Sequence, residues 1–270
     1  MIALHLDADL VSQIQATQFE YLRGRMNVMR DVRGDPNATV YYEAEHLRAC
    51  IAPAIPNPIF NQVFVSGPAK PQDVERVLAL FDQHGMAPRF EIGPGALSRE
   101  IASCLARREF MHTQSDPILI QSTRELSRSP ASDIQVSRVE SGDALESFKD
   151  VYVRGWQTEE RLTSTLRSYI EHWPKLRGWT LCLASQDNVP IGVAVLFRHG
   201  DVAYLADAAT VPEFRARGAQ SALIHRRLLD SRRTAARLVF SRAEFGSTSQ
   251  RNLERAGLVA RFTAAIWTKG

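Results

Sequence analysis

The sequence predicts an α/β (α+β) chain of two successive domains, on three observations. The order helix, three strands, helix, strand, helix, strand runs through residues 1–124, and a similar order follows after residue 134. Between them, residues 125–133 are polar with Ser129-Pro130 in the middle, the composition of a linker. The chain has 270 residues, 44% apolar and 23% charged, which suits a water-soluble protein large enough for two ordinary cores. The division expected is 1–124, a linker at 125–133, and 134–270.

In the first part, residues 9–29 carry Leu10, Ile14, Phe19 and Leu22 at helical intervals, and Gly34-Asp35-Pro36-Asn37 breaks the helix. Residues 38–44, 47–52 and 59–65 read as strands. Asp73 is placed to cap a helix whose apolar side chains are Val74, Val77, Leu78 and Phe81, with Gly85 ending it. A strand at 88–92, a helix at 96–107 and a strand at 117–121 complete the set.

In the second part, residues 134–139 alternate as a strand, and Ser141-Gly142-Asp143 opens a helix with Ala144, Phe148, Val151 and Tyr152 on one face. A second helix carries Leu162, Leu166, Tyr169, Ile170 and Trp173. Residues 179–184 and 191–197 form a hairpin about Asp187-Asn188. Trp156, Trp173 and Trp179 read first as core residues.

Residues 202–208 form a strand of mostly small apolar residues, and Ala219, Ala222, Leu223, Ile224, Leu228 and Leu229 form a helical face soon after. The loop between them holds Arg215, Arg217 and Gly218. Free N–H groups and partial positive charge at a helix start suit an anion, and a glycine there permits φ > 0 and close approach. Arg226-Arg227 and Arg232-Arg233 read as a solvated helix face. A strand at 237–241, a helix over 247–258 and a strand at 259–268 end the chain.

Arg215-x-x-Gly218-x-Gln220, in a Thr210-Val211-Pro212-Glu213-Phe214-Arg215 context that approximates V-x-P-x-x-R, resembles the acyl-CoA signature of the GNAT superfamily of N-acyltransferases, Gln/Arg-x-x-Gly-x-Gly/Ala. Gln220 departs from the last position. The resemblance implies two GNAT-like domains, each a mixed, mostly antiparallel central sheet flanked by helices. It implies acetyl-CoA as co-substrate, held by Ala209, Thr210, Val211, Arg215, Arg217, Gly218, Ala219, Gln220, Ser221 and Ser249, with a bulge in the strand before the loop. It implies acetyl transfer to a primary amine of a small molecule, peptide or protein. The alternative is a non-catalytic acyl-CoA-binding module. Asp207 and Ser249 are the candidate catalytic residues, with Glu244, Glu159 and Glu160 behind Asp207 as bases. Leu253 stands where many family members place the tyrosine that protonates the leaving thiolate.

The first part has Val65-Ser66-Gly67-Pro68-Ala69-Lys70-Pro71 at the equivalent junction, and its prolines remove N–H donors. A degenerate domain without CoA binding is expected there, packing against the catalytic half. Cys50, Cys104 and Cys182 are odd in number and far apart, which predicts reduced thiols and no zinc site or other metal. No apolar run is long enough for a membrane span, and residues 1–7 lack a signal-peptide pattern, so a cytoplasmic protein is expected. A net charge of +3 without a stacking platform argues against nucleic acid as partner. Monomer and homodimer both remain open.

Overall fold

The computed structural model describes residues 6–35, 39–55, 57–125 and 133–270; residues 126–132 of the expected linker, residues 1–5 and part of the 34–37 break lie outside them. In chain order the elements are α1 (Ala8–Arg33), β1 (Val40–Ala44), β2 (Leu47–Ile51), β3 (Gln62–Val65), α2 (Pro71–Gln83), β4 (Arg89–Ile92), α3 (Arg99–Arg107) and β5 (Phe110–Ser122). They continue with β6 (Gln135–Val139), α4 (Gly142–Gly155), α5 (Glu160–Ile170), β7 (Trp179–Gln186), β8 (Val189–His199), β9 (Val202–Thr210), α6 (Ala219–Arg233), β10 (Leu238–Arg242), α7 (Thr248–Arg255) and β11 (Val259–Lys269).

The chain divides into two compact units. Unit 1 comprises residues 1–118, 242–245 and 260–270; unit 2 comprises 119–241 and 246–259. The last strand is therefore counted with the first unit.

In unit 1, β1, β2 and β3 are antiparallel neighbours and β3 pairs parallel with β4 in unbroken register from Gln62↔Arg89 to Val65↔Ile92. Beyond β4 lies β11, antiparallel, through Ala265↔Ile92 to Trp267↔Phe90. α2 packs Val74, Val77, Leu78 and Phe81 onto this sheet, all buried as their spacing predicts. Each such side chain contributes about 1.5–3 kcal/mol of burial free energy. The helix begins three residues earlier than the sequence suggests. Pro71, with its fixed φ, occupies the first turn behind Lys70, and Asp73 is not the cap but accepts a hydrogen bond from the Tyr42 hydroxyl at 2.8 Å. α1 is longer than expected, with Asp7 accepting from the Leu10 N–H at 2.8 Å and Gly34 left-handed at its end. β5 begins at Phe110, well before residue 117, because the polar run Met111–Ser115 lacks the alternation that marks a strand.

Unit 2 repeats the pairing logic. β6, β7, β8 and β9 are antiparallel in turn, and β9 pairs parallel with β10. α4 and α6 pack on the sheet. Trp173 lies just beyond α5 in a short 3₁₀ turn; it and Trp179 are buried, as expected, whereas Trp156 is 52% exposed. α4 and α5 are tied by Lys149, which bonds Glu146 and Glu171, and by Arg167, which bonds Glu146 and Asp150. Each unit thus has a mixed, mostly antiparallel sheet flanked by helices.

Candidate active site

The site is built where β9 leaves β10 and feeds α6. The β8–β9 ladder runs Gly192↔Thr210, Val193↔Ala209 and Ala194↔Ala208, then jumps to Val195↔Ala206. Asp207 is the extra residue, a bulge with φ of 25°, a conformation that few residues other than glycine adopt. On the other edge, β9 pairs with β10 only from Val202↔Leu238 to Tyr204↔Phe240. The ladder ends there, and the Ser241 hydroxyl takes the Leu205 carbonyl at 2.9 Å. From Leu205 to Thr210, β9 has no ladder partner on β10, which ends at Arg242.

The Asp207 side chain is half-buried and accepts a hydrogen bond from the Tyr152 hydroxyl on α4 at 2.9 Å. Tyr152 was a core-stripe residue by sequence; nothing in the pattern ties it to a residue 55 positions away. Its ring lies 6.2 Å from that of Trp156 and 5.3 Å from that of Trp173, so an aromatic wall stands beside the carboxylate. α4 approaches closely at Gly155, where a Cβ would stand 2.8 Å from that of Ala209.

The loop that follows turns sharply. Ala216 has φ of 62° and Gly218 φ of 92°, and Gly218 is the residue before the first turn of α6. No side chain caps α6, and the N–H groups of a helix's first turn have no partner within the helix. The sequence places the helix start correctly. Arg215 is exposed, its Nη2 donating to the Gly155 carbonyl at 3.2 Å, and the Arg217 guanidinium lies 5.2 Å over the Phe214 ring. Gln220 and Ser221 are half-buried in the first turn, and Ala219 is buried against β7 and β8 residues.

The Val211 N–H donates to the Ile191 carbonyl at 3.0 Å, and its carbonyl accepts from the Phe214 N–H at 2.9 Å. One expectation fails. Arg227 is not on a solvated face: it is 1% exposed, and Arg226 bonds the Val136 carbonyl and Asp230. Charge pairs in sequence read as exposed by default, and only the packed helix shows which one points inward.

Ser249 is half-buried in the first turn of α7, which packs against α6; Ser247 caps that turn by accepting from the Gln250 N–H. Leu253 is buried, so no hydroxyl stands at the family's tyrosine position. Glu159 and Glu160 are exposed, Glu159 pairing with Arg161, and Glu244 belongs to unit 1. Burial pushes the Cys182 thiol up to about 11, and all three cysteines are buried free thiols. Among the described residues no group of side chains could hold a metal ion, and no helix is long and apolar enough to cross a membrane.

No family model matches the sequence, and no curated protein matches it as a relative. Solved structures do match. A GCN5-related N-acetyltransferase from Kribbella flavida superimposes with a TM-score of 0.69 at 15% identity, over 99% of this chain and 96% of that one. A GCN5-related N-acetyltransferase from Sphaerobacter thermophilus gives 0.62 at 11% identity, over 92% and 91%. A tandem GNAT protein from the clavulanic acid biosynthesis pathway gives 0.57 at 12% identity, over 94% of each chain. The fold is that of the GNAT acetyltransferases.

Proposed function

We propose that this chain, with its GNAT acyltransferase fold, moves an acetyl group from acetyl-CoA to a primary amine of a small molecule, peptide or protein in a ternary complex. The observation that carries the reading is the bulge at Asp207 in a strand whose parallel ladder stops at Tyr204, followed at once by the uncapped, Gly218-led start of α6. The first arrangement suits an acyl chain between strands; the second suits a pyrophosphate on main-chain N–H groups with Arg215 and Arg217 nearby.

In this reading the acyl carbon lies beside the bulge, and main-chain N–H groups of β9 polarise its carbonyl. The amine nitrogen attacks, the C–S bond breaks, and the nitrogen gives its surplus proton to Asp207, directly or through water. Tyr152 holds the carboxylate in place. With Leu253 buried, the sulfur departs as thiolate and takes its proton from solvent, which its acidity allows. Positioning the two reactants supplies much of the rate. Unit 1 is proposed as a companion domain that does not bind the thioester.

Calorimetry with acetyl-CoA, then a panel of amines scored by thiol release, tests the reading. Saturable binding and thiol release with at least one amine are expected. Tight binding with no turnover on any amine would favour the non-catalytic acyl-CoA-binding module, and no binding would remove both.

A further inference from the structure

The bulge in β9 creates a problem that the mechanism does not address. An unopposed residue in a buried antiparallel pair turns carbonyl groups off their ladder partners, and a buried acceptor needs a donor. The two residues flanking the jump in register are Val195 on β8 and Ala206 on β9. Both are buried, and both carbonyls receive the same group: Nη1 of Arg227, at 3.1 Å from Val195 and 2.9 Å from Ala206. Nε of the same guanidinium donates to the Leu223 carbonyl one turn back on α6, at 3.1 Å. The planar fork of arginine can serve carbonyls in several directions at once, as a lysine ammonium on a flexible stem cannot. A charge this deeply buried is costly unless such partners surround it.

The same helix that begins at Gly218 therefore reaches through the sheet's packed face to the irregularity at Asp207. We infer that Arg227 is a positioning residue: it fixes the bulge in the register that presents β9 to the thioester and sets the bulge's distance from the start of α6. This inference rests on the acetyl-transfer reading for its catalytic consequence, though not for its geometry. Arg227 lies behind the strand and touches no reactant.

The test uses the full-length protein with Arg227→Met, Arg227→Gln and Arg227→Lys. Acetyl-CoA affinity of the folded variants should stay within about threefold, because the Gly218 turn is untouched. kcat should fall about a hundredfold in Arg227→Met, the scale of a small misplacement of reacting groups. Arg227→Lys should recover part of it. Hydrogen exchange at the amides of Ala206, Asp207 and Ala208 should accelerate in all three while exchange at β7 does not. Arg227→Lys keeps the charge, so it remains the readable variant where Arg227→Met fails to fold. Variants with lower thermal stability but unchanged kcat and unchanged exchange at the bulge would overturn the inference and leave Arg227 a plain stabilising residue. A wild-type protein that binds no acetyl-CoA would instead sink the functional reading, and the exchange result would still decide whether Arg227 holds the bulge.

Discussion

The two strand-to-helix junctions of this chain, β3 to α2 and β9 to α6, share a topology and a helix start without a side-chain cap, and differ in strand pairing and in the residue that opens the helix. Each links a strand to the helix that crosses to its parallel neighbour. β3 pairs with β4 along its whole length, and the Gly93 N–H extends the ladder by bonding the Val65 carbonyl at 2.8 Å. β3 has no register shift against β2. α1 closes the same place: Gln15 donates to the Glu91 carbonyl, and a Cβ on Gly93 would stand 2.7 Å from a Val11 methyl. Glu91 and Asp116 are held by Arg89 and Arg242 in one buried ion cluster. α2 opens on Pro71, which has no N–H to offer an anion. β9, by contrast, has the bulge and a ladder to β10 that stops at Tyr204, and α6 opens behind Gly218 with no proline in its first turn. Strands need only pair and pack to make a sheet, whereas the proposed site needs an interruption of pairing.

Charge reversal at the two junctions should break the equivalence most strongly. Gly218→Asp puts a carboxylate at the start of α6 and forces a non-glycine residue to φ of 92°. Acetyl-CoA binding should weaken about a hundredfold or more, about 2.8 kcal/mol at 1.4 kcal/mol per decade. The matched change in unit 1, Lys70→Glu, should leave calorimetric affinity unaltered; a loss there would show that unit 1 takes part in binding.

Next in size is the carboxylate of the bulge. Asp207→Asn should lower kcat/KM about a hundredfold if that group accepts the amine's proton. Acetyl-CoA affinity should change little. Tyr152→Phe, which removes the hydroxyl donated to Asp207, should cost about tenfold or less by the same steady-state assay, the worth of a hydrogen bond to a charged group. A smaller loss for Asp207→Asn than for Tyr152→Phe would transfer the base to another residue.

The smallest effect concerns pH. Burial on α6 holds the His225 imidazole below its ordinary range. The folded state thus binds fewer protons there than the unfolded chain, so stability from this residue is full above about pH 6.5 and declines as pH falls through that value. His225→Gln should flatten that part of the stability curve in denaturant titrations at pH 5 to 8; an unchanged slope would assign it to other groups.

The sequence shows the second junction well because its requirements are local. A glycine at a left-handed turn, prolines that withdraw donors in the first unit, and apolar faces at helical spacing are all encoded within a few residues, and the expected junction at Gly218 and the buried face of α2 reflect this. What depends on distant partners is silent. The hydrogen bond between Tyr152 and Asp207, the burial of Arg227 beside a half-buried Arg226 bonded to Val136, and the bond of the Val211 N–H to Ile191 arise only when strands and helices meet. The first half of β5 was hidden for a related reason: its polar residues answer to its neighbour across the sheet, where Thr113 donates to the Ile266 carbonyl, rather than to a core.

The membership of β11 in unit 1 bears on how its sheet is completed during synthesis. β4 is made early, yet the strand that lies along its edge, Val259 to Lys269, is made long after it. Until those residues emerge from the exit tunnel, β4 carries a bare row of backbone donors and acceptors, the kind of edge that pairs with other nascent chains. Unit 1 thus closes its sheet only after unit 2 has been made, and halves of this protein produced separately by cutting between β5 and β6 would each inherit that defect: one with an open edge, the other with an orphan strand.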